Sequence, residues 1–309
     1  GNQFVWIPVE NASDYVRNMS YNISTHTEQG NVEKLENVKI STATSYLPEG
    51  IQPSTDNSDQ NEKAERQAVI DAGGFFISRF EAGNENGTLV SKKGANVWCY
   101  INNEDTKTIA KTFINNDNVK SALISGIQWD MTMDFVNEKL DGNGETFDVN
   151  KSNPKRHTSS IGTSGKNEND KVCNIYDLEG NCWERTAEML TSEKNTDEQP
   201  VNRGGYNALD SVEASMRVNV GSEAYPNTTF RIVLYVTPRD NWSPAYDETA
   251  TYTDKNGDTA TIPEGFSVSR KVSENTIDNG LVVKASDGSE FVWIPVASLE
   301  DYKVNESYN

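Results

Sequence analysis

Two histidines and three cysteines hold all the imidazole and thiol chemistry in this 309-residue sequence. Soft and borderline metals need several such ligands at one point. His26 and His157 alone exclude a multi-histidine iron, zinc or copper centre. Cys99, Cys173 and Cys182 make an odd count, so at least one thiol stays unpaired and there is no disulfide framework. A Cys173–Cys182 bridge is one pairing that the count allows. Carboxylates are plentiful: 47 acidic residues face 28 basic ones, a net charge of −19. Such a surface disfavours nucleic acid and anionic membranes, whose binding is driven by basic patches. It suits solubility and hard cations such as calcium. No run of 18 apolar residues is present, so nothing in the sequence predicts a membrane-spanning helix.

The elements that must position these groups are read from pattern. FVWIPV (Phe4–Val9) predicts a strand with Pro8 at its exit. Ser13–Met19 predicts a short helix, and residues 22–60 a long polar loop. EKAERQAVIDAGG predicts a helix over Glu62–Gly74, stopped by Gly73. Gly74–Gly83 reads as a strand and NENG as a hairpin turn. Ile109–Ile114 reads as a short helix. Asp130 is the expected N-cap of a helix whose apolar face is Met131, Phe135, Val136 and Leu140. Residues 141–172 read as loop. NIYDLEGNCWERTAEM (Asn174–Met189) places a Gly-Asn turn before a strand. TFRIVLYV is apolar throughout, as a central strand requires. Past Pro238, Asn256-Gly257 and Asp287-Gly288 mark two hairpins. The expected division is therefore 1–240 and 241–309.

The first strand occurs twice. Gly1–Asn22 and Gly288–Asn309 align without a gap at an offset of 287 residues, with 13 of 22 positions identical. That period is far longer than a solenoid repeat and has the length of a domain or two. The second copy (Phe291, Val292, Trp293, Ile294, Val296) is an apolar strand that something must cover. Neighbouring copies of the chain, or tandem repeats, are the expected partners. Strand addition between units is the expected mode, and a head-to-tail contact that does not close gives a filament.

In order, FVWIPV, GGFFISRFEAG, SGIQWDMTMDFV, NIYDLEGNCWERTAE, VNRGGYN and TTFRIVLYV resemble the landmarks of the formylglycine-generating enzyme (sulfatase-modifying factor) domain, over roughly residues 1–237. The resemblance implies an α+β, C-type-lectin-like mixed fold rich in irregular structure, followed by a β-hairpin linker. It implies calcium at the GNCWE turn, held by the side chains of Asp177 and Glu184 and the carbonyls of Gly180 and Cys182. Catalytic members use cysteines near an FRC segment. Here Ile232 stands in that place and no cysteine follows Cys182, so neither copper nor iron is expected and the domain reads as catalytically degenerate. Arg203 and Arg231 are expected to pair with buried carboxylates such as Asp177 or Glu81. Lectin-like folds of this kind also display a variable surface after the RGG run. Tyr206, Asn207, Asp210 and Tyr225 mark it here, for a glycan or protein ligand. The functional expectation is a non-catalytic structural or binding repeat of an extracellular or cell-surface protein, bacterial by resemblance and filament-forming through the repeated strand. The alternatives are an adhesin or phage receptor-binding head, and a copper-dependent cysteine oxidase.

Overall fold

The computed structural model describes all residues except 10–12, 28–30, 52–57, 158, 210, 237–241, 244, 272 and 297–309. The expected boundary at residue 240 falls outside the described residues, as does most of the repeat's second half. Strand outweighs helix: twenty strands and three α-helices are described, in a mixed, sheet-rich architecture.

The chain opens with β1 (Phe4–Pro8), β2 (Ile23–His26), β3 (Val32–Lys34) and β4 (Lys39–Thr42). β2, β3 and β4 interrupt the expected loop at 22–60, and no helix forms over residues 13–19. The helix α1 (Ser58–Ala72) begins before its apolar stripe and stops where expected, at Gly73 with φ +75°. β5 (Gly74–Ser78) follows at once. β6 (Gly83–Glu85) and β7 (Thr88–Val90) form the NENG hairpin, with φ positive at both Asn86 and Gly87, as a tight right-twisted turn needs. Next come α2 (Asn103–Thr112), β8 (Val119–Leu123) and α3 (Gly126–Val136). Asp130 is not the cap of α3. Ser125 is, through a reciprocal box in which Gln128 reaches back to the Ser125 N–H. Asp130 therefore lies mid-helix and is fully buried.

A short pair, β9 (Lys139–Leu140) and β10 (Thr146–Phe147), precedes an irregular stretch to residue 182. Then follow β11 (Trp183–Thr191), β12 (Gln199–Arg203), β13 (Arg217–Asn219), β14 (Thr228–Phe230) and β15 (Ile232–Val236). The apolar run TFRIVLYV is thus two strands in two sheets, broken at Arg231. One sheet has the order β1-β5-β15-β8. The other runs β14-β11-β12-β13-β2-β3, with β4 also on β11. The main core includes Ile7, Phe75, Ile77, Leu123, Trp129, Met133 and Val233.

β1 pairs antiparallel with β5, from Phe4 opposite Ser78 to Pro8 opposite Gly74. It is the outer strand of its sheet, where proline is tolerated, yet Ile7 and Val9 face the core with 0% and 2% exposure. Gly74 makes this approach feasible, because a Cβ there would lie 2.3 Å from the Ile7 carbonyl oxygen.

The C-terminal part has a second, separate core of Ala260, Ile262, Val268, Ile277, Leu281 and Val283. It is built from β16 (Ala250–Thr253) paired with β17 (Thr259–Ile262), and from β18 (Ser267–Val268), β19 (Val282–Lys284) and β20 (Glu290–Val292). Both expected hairpins form. Neither is a two-residue turn: the Gly257 N–H donates to Asp254 and the Gly288 N–H to Ala285, and only the glycines take positive φ. These are type I turns closed by a left-handed glycine.

Candidate functional site

The GNCWE turn is built from backbone that few residues accept. Asp177, Gly180 and Asn181 all have φ between +50° and +85°, a region in which Gly, Asn and Asp are the usual occupants. Gly180 is obligatory, since a Cβ would meet the Arg156 carbonyl oxygen at 2.4 Å. Its N–H donates to the Gly204 carbonyl at 2.7 Å, which clasps the turn to the RGG run. The turn delivers Cys182 and then Glu184, both fully buried, into the start of β11.

Glu184 receives a two-pronged bond from Arg231, Nε to Oε2 at 2.8 Å and Nη2 to Oε1 at 2.6 Å. Arg231 also donates to the carbonyls of Ser78 and Tyr176. Asp177 accepts the Gly165 N–H at 2.7 Å. Glu81, fully buried, accepts from the Cys182 N–H at 3.2 Å and from the Asn181 amide. Burial pushes the Glu81 carboxyl well up, and the charges of Asp177 and Glu184 push it further, against the pull of Arg231. Burial likewise raises Asp177 and Glu184, opposed in each by Arg231. Asp170 is raised to about 6 by burial and then by Asp177. Three buried carboxylates thus gather around one guanidinium. Among the described residues no three Asp, Glu, His or Cys side chains are grouped to hold a metal ion. The set expected for calcium has only two side-chain ligands and two carbonyls, so it is not such a group. Arg231 is the expected buried partner, with Glu184 in place of Asp177 or Glu81.

Arg203 lies in a different cluster. It donates to Asp130 at 2.9 Å, to Glu188 at 3.0 Å and to the Ser215 carbonyl at 2.7 Å. Arg217 spans the same two carboxylates. Arg17 joins Glu188 to Glu62, each at 2.7 Å. Three guanidiniums therefore meet three carboxylates, and charge balances. Burial pushes Glu188 up, but Arg217, Arg203 and Arg17 outweigh it and hold its carboxyl at about 2. The expected partners Asp177 and Glu81 are thus corrected to Asp130 and Glu188, which sequence separation hid.

Each described residue of the expected ligand surface has its own partners. The Tyr206 ring packs over Trp183 and His26, and its carbonyl faces His157 Nδ1 at 2.9 Å. The Asn207 N–H donates to the Asn181 carbonyl, behind the GNCWE turn. Tyr225 instead accepts the Tyr100 N–H ahead of α2. Asp210 lies outside the described residues.

The two FVWIPV copies differ in surroundings. Ile7 is 0% exposed and its counterpart Ile294 72%; Val9 is 2% exposed and Val296 50%. Phe291 and Val292, on β20, are also more than half exposed. β20 pairs with β19, Phe291 opposite Val283 and Val292 opposite Val282. Trp293 packs on the second core, and Phe291 lies against Phe266 at 5.9 Å between centroids.

Sequence reasoning missed two features. Glu65, fully buried, accepts from the hydroxyls of Tyr15, Tyr46 and Ser125. Cys99 and Cys182 stand with their sulfurs 3.5 Å apart. Cys182 is therefore beside Cys99 and not beside Cys173. No family model matches the chain, and no curated protein matches it either.

Proposed function

We propose that this chain is a non-catalytic structural and binding repeat of an extracellular or cell-surface protein, coupled to a neighbouring unit through its second FVWIPV strand. The observation that carries the reading is the contrast between Ile7 and Ile294, one buried and one 72% exposed within the same hexapeptide. Identical side chains want identical surroundings. Burying an isoleucine or valine is worth about 1.5–3 kcal/mol, and the slot that does so is the edge of β5, with Gly74 admitting the strand.

Counting strands and slots sharpens the proposal. The chain has two FVWIPV strands and one β5 edge. Exchange between two such chains would bury one strand by exposing the other, with no net gain. The second strand is therefore matched to a β5 edge whose own first strand is not already there, as in a further copy of the 287-residue unit. A tandem stalk follows, in which the second strand serves as the first strand of the next unit, with the acidic surface keeping it soluble. Calcium at Asp177, Gly180, Cys182 and Glu184 belongs to the same reading, supported by the excess of carboxylates around Arg231. No copper or iron chemistry is part of it, because Ile232 takes the place of the cysteine that the resemblance calls for. No described helix is long and apolar enough to cross a membrane.

The test is light scattering and electron microscopy on three chains: the full chain, one lacking residues 1–9, and one lacking both 1–9 and everything past Asp287. The second should associate head to tail, because its vacant β5 edge takes the tail strand of a neighbour. The first and third should not. A chain lacking residues 1–9 that folds and stays monomeric at high concentration would sink the proposal.

A further inference from the structure

We propose that Cys99 and Cys182 form a covalent cross-link, leaving Cys173 as the single free thiol. Cys99 and Cys182 are 83 residues apart in sequence, yet their sulfurs are in contact at 3.5 Å. Both backbones are held on either side of the contact. The Trp98 N–H donates to the Ala82 carbonyl at 2.7 Å, and the Tyr100 N–H to the Tyr225 carbonyl at 3.0 Å. The Cys182 N–H is tied to Glu81, and the Trp183 N–H to the Asn227 carbonyl. Two thiols so placed need only a further approach of about 1.5 Å to reach bonding distance. Cys173 is half-buried, packs against the main core, and makes no such contact among the described residues.

The exposures set the order of events. Cys99 is partly open to solvent and Cys182 is fully buried. The Cys99 thiolate attacks a small-molecule disulfide oxidant, giving a mixed disulfide and releasing one thiol. Cys182, after losing its proton, attacks the Cys99 sulfur and expels the second thiol. The two cysteines lose two electrons and two protons, and the oxidant is reduced to two thiols. The product closes a loop that contains α2, β8 and α3. It ties the segment ahead of α2 to the GNCWE turn, directly behind Glu81. Closing a loop of this size favours the folded state by limiting the unfolded chain. The inference does not rest on the repeat reading, and either can fail alone.

The experiment is a thiol count on the denatured full chain, after incubation with oxidised glutathione and again after reduction. One thiol before and three after, with a mapped peptide joining Cys99 to Cys182, is the expected result. The oxidised chain should melt about 10 °C higher than the reduced one. Cys99→Ser, at the more exposed of the two positions, should abolish that difference while Cys173→Ser keeps it. Three thiols after oxidation, or a bridge to Cys173, would overturn the cross-link.

Discussion

Glu65 shows how a single carboxylate can tie pH to stability. It is buried with three hydroxyl donors, from Tyr15, Tyr46 and Ser125. Burial raises its carboxyl, and those hydrogen bonds only partly oppose the rise. A carboxyl raised by folding stabilises the protein while protonated, below its unfolded value. That contribution fades as pH climbs through the folded value. Denaturant melts of the native chain and Glu65→Gln, compared between pH 4 and pH 8, should therefore show the native chain losing ground to the variant as pH rises. A gap between the two that stays constant with pH would refute this. Glu188 has the opposite sign. Held at about 2 by its guanidiniums, it stabilises above its unfolded value and gives that up only as pH falls toward 2. The kind of role played by Arg203 and Arg231 was legible, since arginine suits buried two-pronged pairing. Their partners were not. Arg231 and Glu184 are 47 residues apart, and Arg217 and Asp130 87, and no spacing rule spans such gaps. Cys99 and Cys182 were hidden in the same way.

Among elements, the most exacting contact is that of β1 with β5. Gly74, at φ +150°, sits under the Ile7 carbonyl with no room for a side chain. Gly74→Ala should cost roughly 2–4 kcal/mol through strain and crowding combined. Gly87 also has positive φ but stands in open space, so Gly87→Ala should cost only about 1 kcal/mol. Equal losses in urea melts would show that the close approach is not what selects glycine at 74. Elements with a local signal were readable: the Gly73 stop of α1, the NENG hairpin, the strand after GNC. The start of α3 was misplaced, although Ser125 and Gln128 stand at capping-box spacing. The acidic Asp130 drew the N-cap reading because it directly precedes an apolar face. β2, β3 and β4 carried no signal. They are three or four residues long and polar, and they form by pairing with distant strands, β2 with β13 and β4 with β11. A period of two cannot declare itself in so few residues.

At the scale of the whole molecule, the acidic excess bears on calcium. Thermal melts of the chain in calcium and in chelator should differ by about 5–10 °C if the ion is present at a hundredfold over its dissociation constant. Asp177→Asn should remove the difference, whatever it does to the melting point itself. Identical melting points in calcium and chelator would remove the ion from the proposed function. The sequence showed a 287-residue offset and a change of character past Pro238. Past that point the described residues hold a buried cluster of six aliphatic side chains.

If the chain is a unit of a stalk, as proposed, the sheet order β1-β5-β15 sets how it bears load. Both outer members of this trio run antiparallel to β5, so β1 and β15 point the same way. In a stalk of such units, tension enters ahead of Phe4 and leaves beyond Val236. It drags β1 and β15 in opposite directions along β5, loading every rung of both ladders at once instead of peeling them one by one. The second core, far smaller than the first, is the part expected to yield first under such a load. Unravelling Ala250 to Val292 pays out roughly 150 Å of chain, a spring set in series with a stiff link.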